Sequence, residues 1–152
     1  AVKKYSSLFI SKQIHLDYRE CRSQVLTDEK WLLFVLEQVL SNALKYTPRG
    51  GKIVIYQEGE GERRLVIQDN GIGISAEDLP RIFEKGFTGF NGRQDKKSTG
   101  IGLYLCKKVC DKLGHVLVVE SKEGTGTCVY FCERAVKSPE EQTLQGRRLL
   151  LQ

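Results

Sequence analysis

The residues best suited to chemistry lie on one stretch, Glu37-Gln38-Val39-Leu40-Ser41-Asn42-Ala43-Leu44-Lys45. At about 100° per residue, a helix gathers Glu37, Gln38, Ser41, Asn42 and Lys45 into one arc of about 140°, while Leu32, Leu33, Val35, Leu36, Val39, Leu40, Ala43 and Leu44 fill the rest. A carboxylate, an amide and an ammonium on one face can orient a nucleophile, hold a hydrated cation and neutralise phosphate. The same stripe would also serve as a plain solvated face, which is the usual fate of polar residues on an amphipathic helix. Two glycine stretches weigh toward chemistry. In Asp69-Asn70-Gly71-Ile72-Gly73-Ile74, an acid at a strand end presents a fixed acceptor, and paired glycines let backbone approach a ligand. In Ser98-Thr99-Gly100-Ile101-Gly102-Leu103, glycines at a helix start expose unpaired N–H groups at the positive end of the dipole, an anion site. Each motif is weak alone, since Asp-Asn-Gly is also ordinary turn chemistry.

The elements that must position these groups can be read from periodicity and breakers. The helix is expected from Asp28 to about Tyr46, capped by Thr27 or Asp28 and stopped by Thr47-Pro48-Arg49-Gly50-Gly51. Before it, Gln13 to Tyr18 and Ser23 to Leu26 read as short strands. After it, Lys52 to Gln57 and Arg64 to Asp69 pair as a hairpin around the turn Glu58 to Glu62. Ser75-Ala76-Glu77-Asp78 predicts a short helix reaching Phe83, in a capping-box-like pattern. Residues 84–99, with three glycines, Arg93, Lys96 and Lys97, read as a lid that Phe83, Phe87 and Phe90 could seat. A helix through Leu113 then ends at Gly114, and His115 to Cys132 closes with a second hairpin.

Bulk properties limit the alternatives. The chain has 152 residues, 40% of them hydrophobic, enough for one domain with a real core. Its charge of +5 is too mild and too evenly spread for a nucleic-acid binder. No apolar run is long enough to span a membrane, no signal peptide is visible, and the start at Ala1 without Met reads as a piece of something longer. Cys21, Cys106, Cys110, Cys128 and Cys132 lack zinc spacing and are expected to be reduced and mostly buried. His15 falls in a strand pattern and is read as solvent-facing; His115 follows a helix cap and is read as a strand start.

Together the motifs resemble the catalytic, ATP-binding domain of sensor histidine kinases, in the superfamily that includes gyrase, the Hsp90 chaperones and the mismatch-repair ATPases. Glu37-x-x-x-x-Asn42-Ala43-x-Lys45-Tyr46-Thr47 looks like the N box, and Asp69-x-Gly71-x-Gly73-Ile74 like the G1 box. Ile82-Phe83-Glu84-Lys85-Gly86-Phe87 looks like the F box, and Thr99-Gly100-Ile101-Gly102-Leu103 like the G2 box. Four boxes in family order, across about residues 12–132, are far more specific than any one. Lys85-Gly86-Phe87-Thr88-Gly89 and the short gap to Gly100 further resemble the intramembrane-sensing kinases of Gram-positive bacteria that respond to peptide antibiotics.

The resemblance implies an α+β two-layer sandwich, the Bergerat ATP-binding fold. It would have a mixed sheet of about five strands, three main helices on one face and an ATP lid. It implies a linker remnant at 1–11, an ATP-binding catalytic domain at 12–133 and a tail at 134–152. ATP and Mg2+ are the implied cofactors, with Asn42 ligating the metal and Glu37 orienting or polarising the attacking group. Lys45 would contact phosphate, Asp69 would accept from the adenine amino group, and Tyr46 would pack near the base. Gly71, Gly73 and Ile74 would line the site with Phe83. Ser98, Thr99, Gly100, Ile101, Gly102 and Leu103 would hold the triphosphate, with Arg93, Lys96 and Lys97 as lid cations.

The family's phosphoacceptor is a His with an acidic neighbour and a nearby Pro on a separate helix pair. Neither His15 nor His115 has that context, so the implied activity is γ-phosphoryl transfer to a histidine on a dimerisation domain outside this chain. A response regulator is the implied partner. This piece would be monomeric and cytoplasmic, and the whole protein a homodimer anchored in the cell membrane. An anti-sigma-type serine kinase, another ATPase of the superfamily or a silent nucleotide-binding module are the competing readings.

Overall fold

The computed structural model describes residues 2–19, 29–58, 64–87 and 102–133. A 3-10 turn at Val2–Tyr5 leads into α1 (Ser6–Ser11), followed by β1 (His15–Tyr18), α2 (Glu29–Tyr46), β2 (Lys52–Glu58) and β3 (Arg64–Asp69). A second 3-10 turn at Leu79–Arg81 precedes α3 (Gly102–Leu113), β4 (His115–Lys122) and β5 (Gly126–Glu133). The strands form one mixed sheet in the order β1-β2-β3-β5-β4. Only β1 and β2 run parallel, with α2 between them in the chain, as a parallel pair requires. The two expected hairpins are present, with Ile55 opposite Ile67 in one and Leu117 opposite Phe131 in the other.

The period-2 alternation of the strands gives the sheet two unlike faces. Ile53, Ile55, Ile67, Leu117 and Phe131 face Val35, Val39, Leu40, Ala43 and Leu44 of α2 and Cys106 and Cys110 of α3, in one core that also takes Phe9 of α1. The helices therefore cover one face, as the resemblance implied. Each fully buried Val, Leu or Ile contributes about 1.5–3 kcal/mol, so the apolar arc of α2 is a main source of stability. On the other face, Tyr56, Val66 and Tyr130 stand side by side across β2, β3 and β5. Arg19 stacks on Tyr56 and Arg64 on Tyr130, with 5.4 and 4.9 Å to the ring centroids.

Two expectations differ from what is observed. The helix expected from Ser75 to Phe83 is a turn, in which the Asp78 N–H donates to Ser75 Oγ at 3.2 Å, followed by a single 3-10 turn. Pro80 has no N–H to continue an α-helical ladder, so the capping signal closes a turn instead. Among the four described cysteines, Cys106 and Cys110 are buried, but Cys128 and Cys132 are only half-buried, and Cys21 lies outside the described residues. Cys128 and Cys132 alternate with core-facing Val129 and Phe131 along β5 and so fall on its outer face. Burial pushes the thiol of Cys106 up to about 12 and that of Cys110 up to about 11, which keeps both protonated. His115 does open β4, but buried against the Phe131 ring at 4.9 Å. The Ser23–Leu26 strand, the Thr27 or Asp28 cap, the lid beyond Phe87 and the 134–152 tail lie outside the described residues.

Candidate functional site

The site is built where the end of α2 and the β4–β5 hairpin lock the first glycine loop. Thr47 ends α2 fully buried, its Oγ1 donating to Ala43 O at 2.6 Å, so the last carbonyls of the helix are partly satisfied from within. The Lys12 ammonium donates to Leu44 O, and the N–H of Ile72 reaches Tyr46 O at 3.1 Å. From the other side, the N–H of Gly124 donates to Ile72 O at 2.8 Å, and that of Ile74 to Ser121 Oγ at 2.8 Å. The loop 70–74 is thus clamped between the end of α2 and the β4–β5 hairpin.

That clamp explains the glycines. A Cβ on Gly71 would stand 2.4 Å from Tyr46 O, and one on Gly73, at φ +72°, would stand 2.2 Å from Lys122 O. Asn70 points away to tie the start of β2, its Oδ1 accepting the Lys52 N–H at 2.7 Å. Asp69 points inward and is 9% exposed. Its Oδ1 accepts the N–H of Gly71 at 2.9 Å and of Thr127 at 3.3 Å. Both bonds fall on one oxygen, which leaves Oδ2 as the atom available to a ligand's donor. Burial pushes this carboxyl above the usual range, and the two N–H groups oppose that rise.

The polar arc of α2 divides between two neighbours. Gln38 Oε1 comes within 2.8 Å of where a Cβ on Gly102 would be, so this amide meets the first turn of α3. Asn42 lies one turn further on the same side, half-buried. Glu37, a quarter-turn round, is instead drawn to the leading segment, where the Lys4 ammonium donates to its Oε2 at 3.0 Å. Gln38 belongs to the polar arc read from the sequence, yet nothing in the spacing separated it from Glu37. Lys45 stacks over the Tyr46 ring at 5.2 Å. Phe83 packs against the core, with the Lys107 ammonium over its ring at 6.0 Å.

The described contacts therefore join Tyr46, Asp69, Gly71, Gly73 and Ile74 around the glycine loop, and Gly102 of α3 meets Gln38 of α2, while Asn42 and Lys45 stand on the polar side of α2 and Leu103 in the first turn of α3. Arg93, Lys96, Lys97, Ser98, Thr99, Gly100 and Ile101 lie outside the described residues. The first turn of α3 carries N–H groups of the kind a helix start turns toward phosphate, and Gln38 and Asn42, at i and i+4 on α2, put two amides on one side, a donor set that suits a hydrated divalent cation. Among the described residues no cluster of three His, Cys, Asp or Glu is present to hold a metal without help from phosphate oxygens.

Residues 27–135 match the family described as histidine kinase-, DNA gyrase B- and HSP90-like ATPase. The chain is 36% identical over 133 residues to the sensor histidine kinase YxdK of Bacillus subtilis (strain 168), covering 86% of this chain and 41% of that protein. It is 42% identical over 127 residues to the sensor protein BceS of the same organism, covering 83% and 38%. Among solved structures, the mycobacterial sensor histidine kinase MprB superposes with a TM-score of 0.72 at 26% identity, covering 88% of this chain and 93% of that one. The chain spans about two fifths of the curated relatives it matches. With the family match over most of its length and a five-stranded sheet like that of the solved kinase, the chain belongs to the histidine kinase-, DNA gyrase B- and HSP90-like ATPase family, in its sensor histidine kinase branch.

Proposed function

We propose that this chain is the ATP-binding catalytic part of a two-component sensor kinase, which transfers the γ-phosphoryl group of ATP to a histidine on a separate dimerisation domain. The observation that carries the proposal is Asp69, a buried carboxylate with one oxygen committed to two backbone N–H groups and the other left for a donor. An adenine amino group is such a donor, and Gly71 and Gly73 let backbone come close to the base. Tyr46 packs beside the base and Lys45 reaches phosphate. Asn42 and Gln38 bring amide oxygens to the cation, a reading supported by the approach of Gln38 to the first turn of α3. Mg2+, when bound, supplies charge neutralisation on the phosphates. The N–H groups at the start of α3 hold the same phosphates, and Ser98 to Ile101, Arg93, Lys96 and Lys97 complete the cradle. The protein's work is positioning and electrostatics, with no covalent intermediate on the chain.

The dimerisation domain, the cognate response regulator and a membrane anchor belong to the longer protein that the sensor kinase relatives suggest. The similarity to BceS and YxdK supports the subgroup that responds to peptide antibiotics. The test is competition: this chain should bind ATP with Mg2+ and reject GTP, whose base carries a carbonyl where adenine has the amino group. Mixed with a dimerisation domain carrying the acceptor histidine, it should phosphorylate that histidine. Equal binding of both nucleotides would overturn the role of Asp69, and ATP binding without transfer would overturn the kinase reading.

A further inference from the structure

The leading segment is not a loose approach to the domain. It lies along α2 in the same direction, Lys4 meeting Glu37 and Lys12 meeting Leu44 O. Its far end is held firmly. Phe9 and Ile14 are buried in the core, Gly50 N–H donates to Lys12 O at 3.1 Å, His15 N–H to Gly51 O at 2.9 Å, and Arg49 Nε to Gln13 Oε1 at 3.3 Å. Its near end is held more lightly. Val2 and Tyr5 are only partly buried, and the polar tie is the Lys4–Glu37 pair, whose side chains are 60% and 19% exposed. The pair holds the Lys4 ammonium charged above its ordinary range. The residue after Glu37 is Gln38, which meets the first turn of α3.

We propose that residues 2–14 are a splint on α2 whose releasable clasp is the Lys4–Glu37 ion pair, and that through it the chain upstream sets the position of Gln38 against α3. Glu37 is then a positioning residue, acting through the helix it stands on. The clasp is suited to release: an exposed ion pair is weak, so modest force or rotation from upstream opens it, while the buried far end keeps the segment attached. This inference rests on the reading of the site given above.

The experiment uses Lys4→Glu, Glu37→Lys and the double reversal. In this chain, hydrogen exchange at amides 6–12 should be about two- to fivefold faster in each single variant, the range expected for one exposed pair, and should return to the wild-type rate in the double. In the whole protein, Lys4→Glu should slow phosphoryl transfer at saturating ATP by a similar factor with ATP affinity unchanged, and the double should restore the rate. Unchanged exchange in both single variants, or a double that stays loose, overturns the splint. Exchange that responds and recovers while transfer at saturating ATP stays constant overturns the positioning role and leaves only a structural tie. A wild-type protein that binds ATP without transferring it overturns the kinase reading, and the exchange measurements still judge the splint.

Discussion

Replacing Asp69 with Asn separates what the site does for the ligand from what it does for the fold. The amide keeps an Oδ1 to accept the N–H groups of Gly71 and Thr127, now 2.9 and 3.3 Å away, but puts a second donor where Oδ2 stood. Facing an adenine amino group, donor meets donor. The lost charge-assisted bond is worth about 1.5–3 kcal/mol, so ATP affinity should fall about 10- to 150-fold by isothermal titration. Stability of the empty domain should move the other way. Burial raises the Asp69 carboxyl above its ordinary value of 3.8, so the folded state holds the proton more tightly than the unfolded state. The contribution of Asp69 is then favourable at low pH and is lost as pH rises from the unfolded value through the raised folded value. Above that window the ionised carboxylate is a net cost, and Asp69→Asn should be more stable than the parent in urea at neutral pH, an advantage that disappears as the pH falls through the window. Affinity retained within twofold, or a stability difference that does not change with pH, would refute the reasoning.

Asn42→Ala should lower affinity for ATP with Mg2+ while leaving affinity without the metal nearly unchanged; equal loss in both titrations removes Asn42 from the metal. Gly71→Ala should cost about 1–3 kcal/mol in urea unfolding, because its Cβ would stand 2.4 Å from Tyr46 O and the loop is clamped on both sides. Leu40→Ala, at a position 1% exposed between helix and sheet, should cost about 2–5 kcal/mol by the same measurement and leave ATP affinity per folded molecule unaltered.

The architecture was legible in the sequence because its signals are local. The apolar arc of α2, the alternation in Lys52 to Gln57 and the stops at Gly50-Gly51 and Gly114 each name an element and its end. The candidate site was legible as a set of residue types, and the turn at Asp69 and Gly71 and the close approach at Gly73 are the geometry that a strand-end acid followed by paired glycines allows. What spacing did not separate is Gln38 from Glu37, since neighbours on one arc differ by a quarter-turn and only the partners Gly102 and Lys4 tell them apart. The short helix at Ser75 failed because a cap-like start says nothing about a proline five residues on. The core role of Phe9 went unread because six helical residues are too few for periodicity to register.

The parallel pairing of β1 with β2 also has a consequence for synthesis on the ribosome. His15 can find its register only after Lys52 has been made, so β1 leaves the exit tunnel with no strand to join, whereas β2 and β3 are neighbours in the chain, as are β4 and β5. The nascent chain therefore carries Phe9, Ile14 and Leu16 without their core partners until α2 and β2 arrive, so the apolar surface of the leading segment is exposed longest during synthesis.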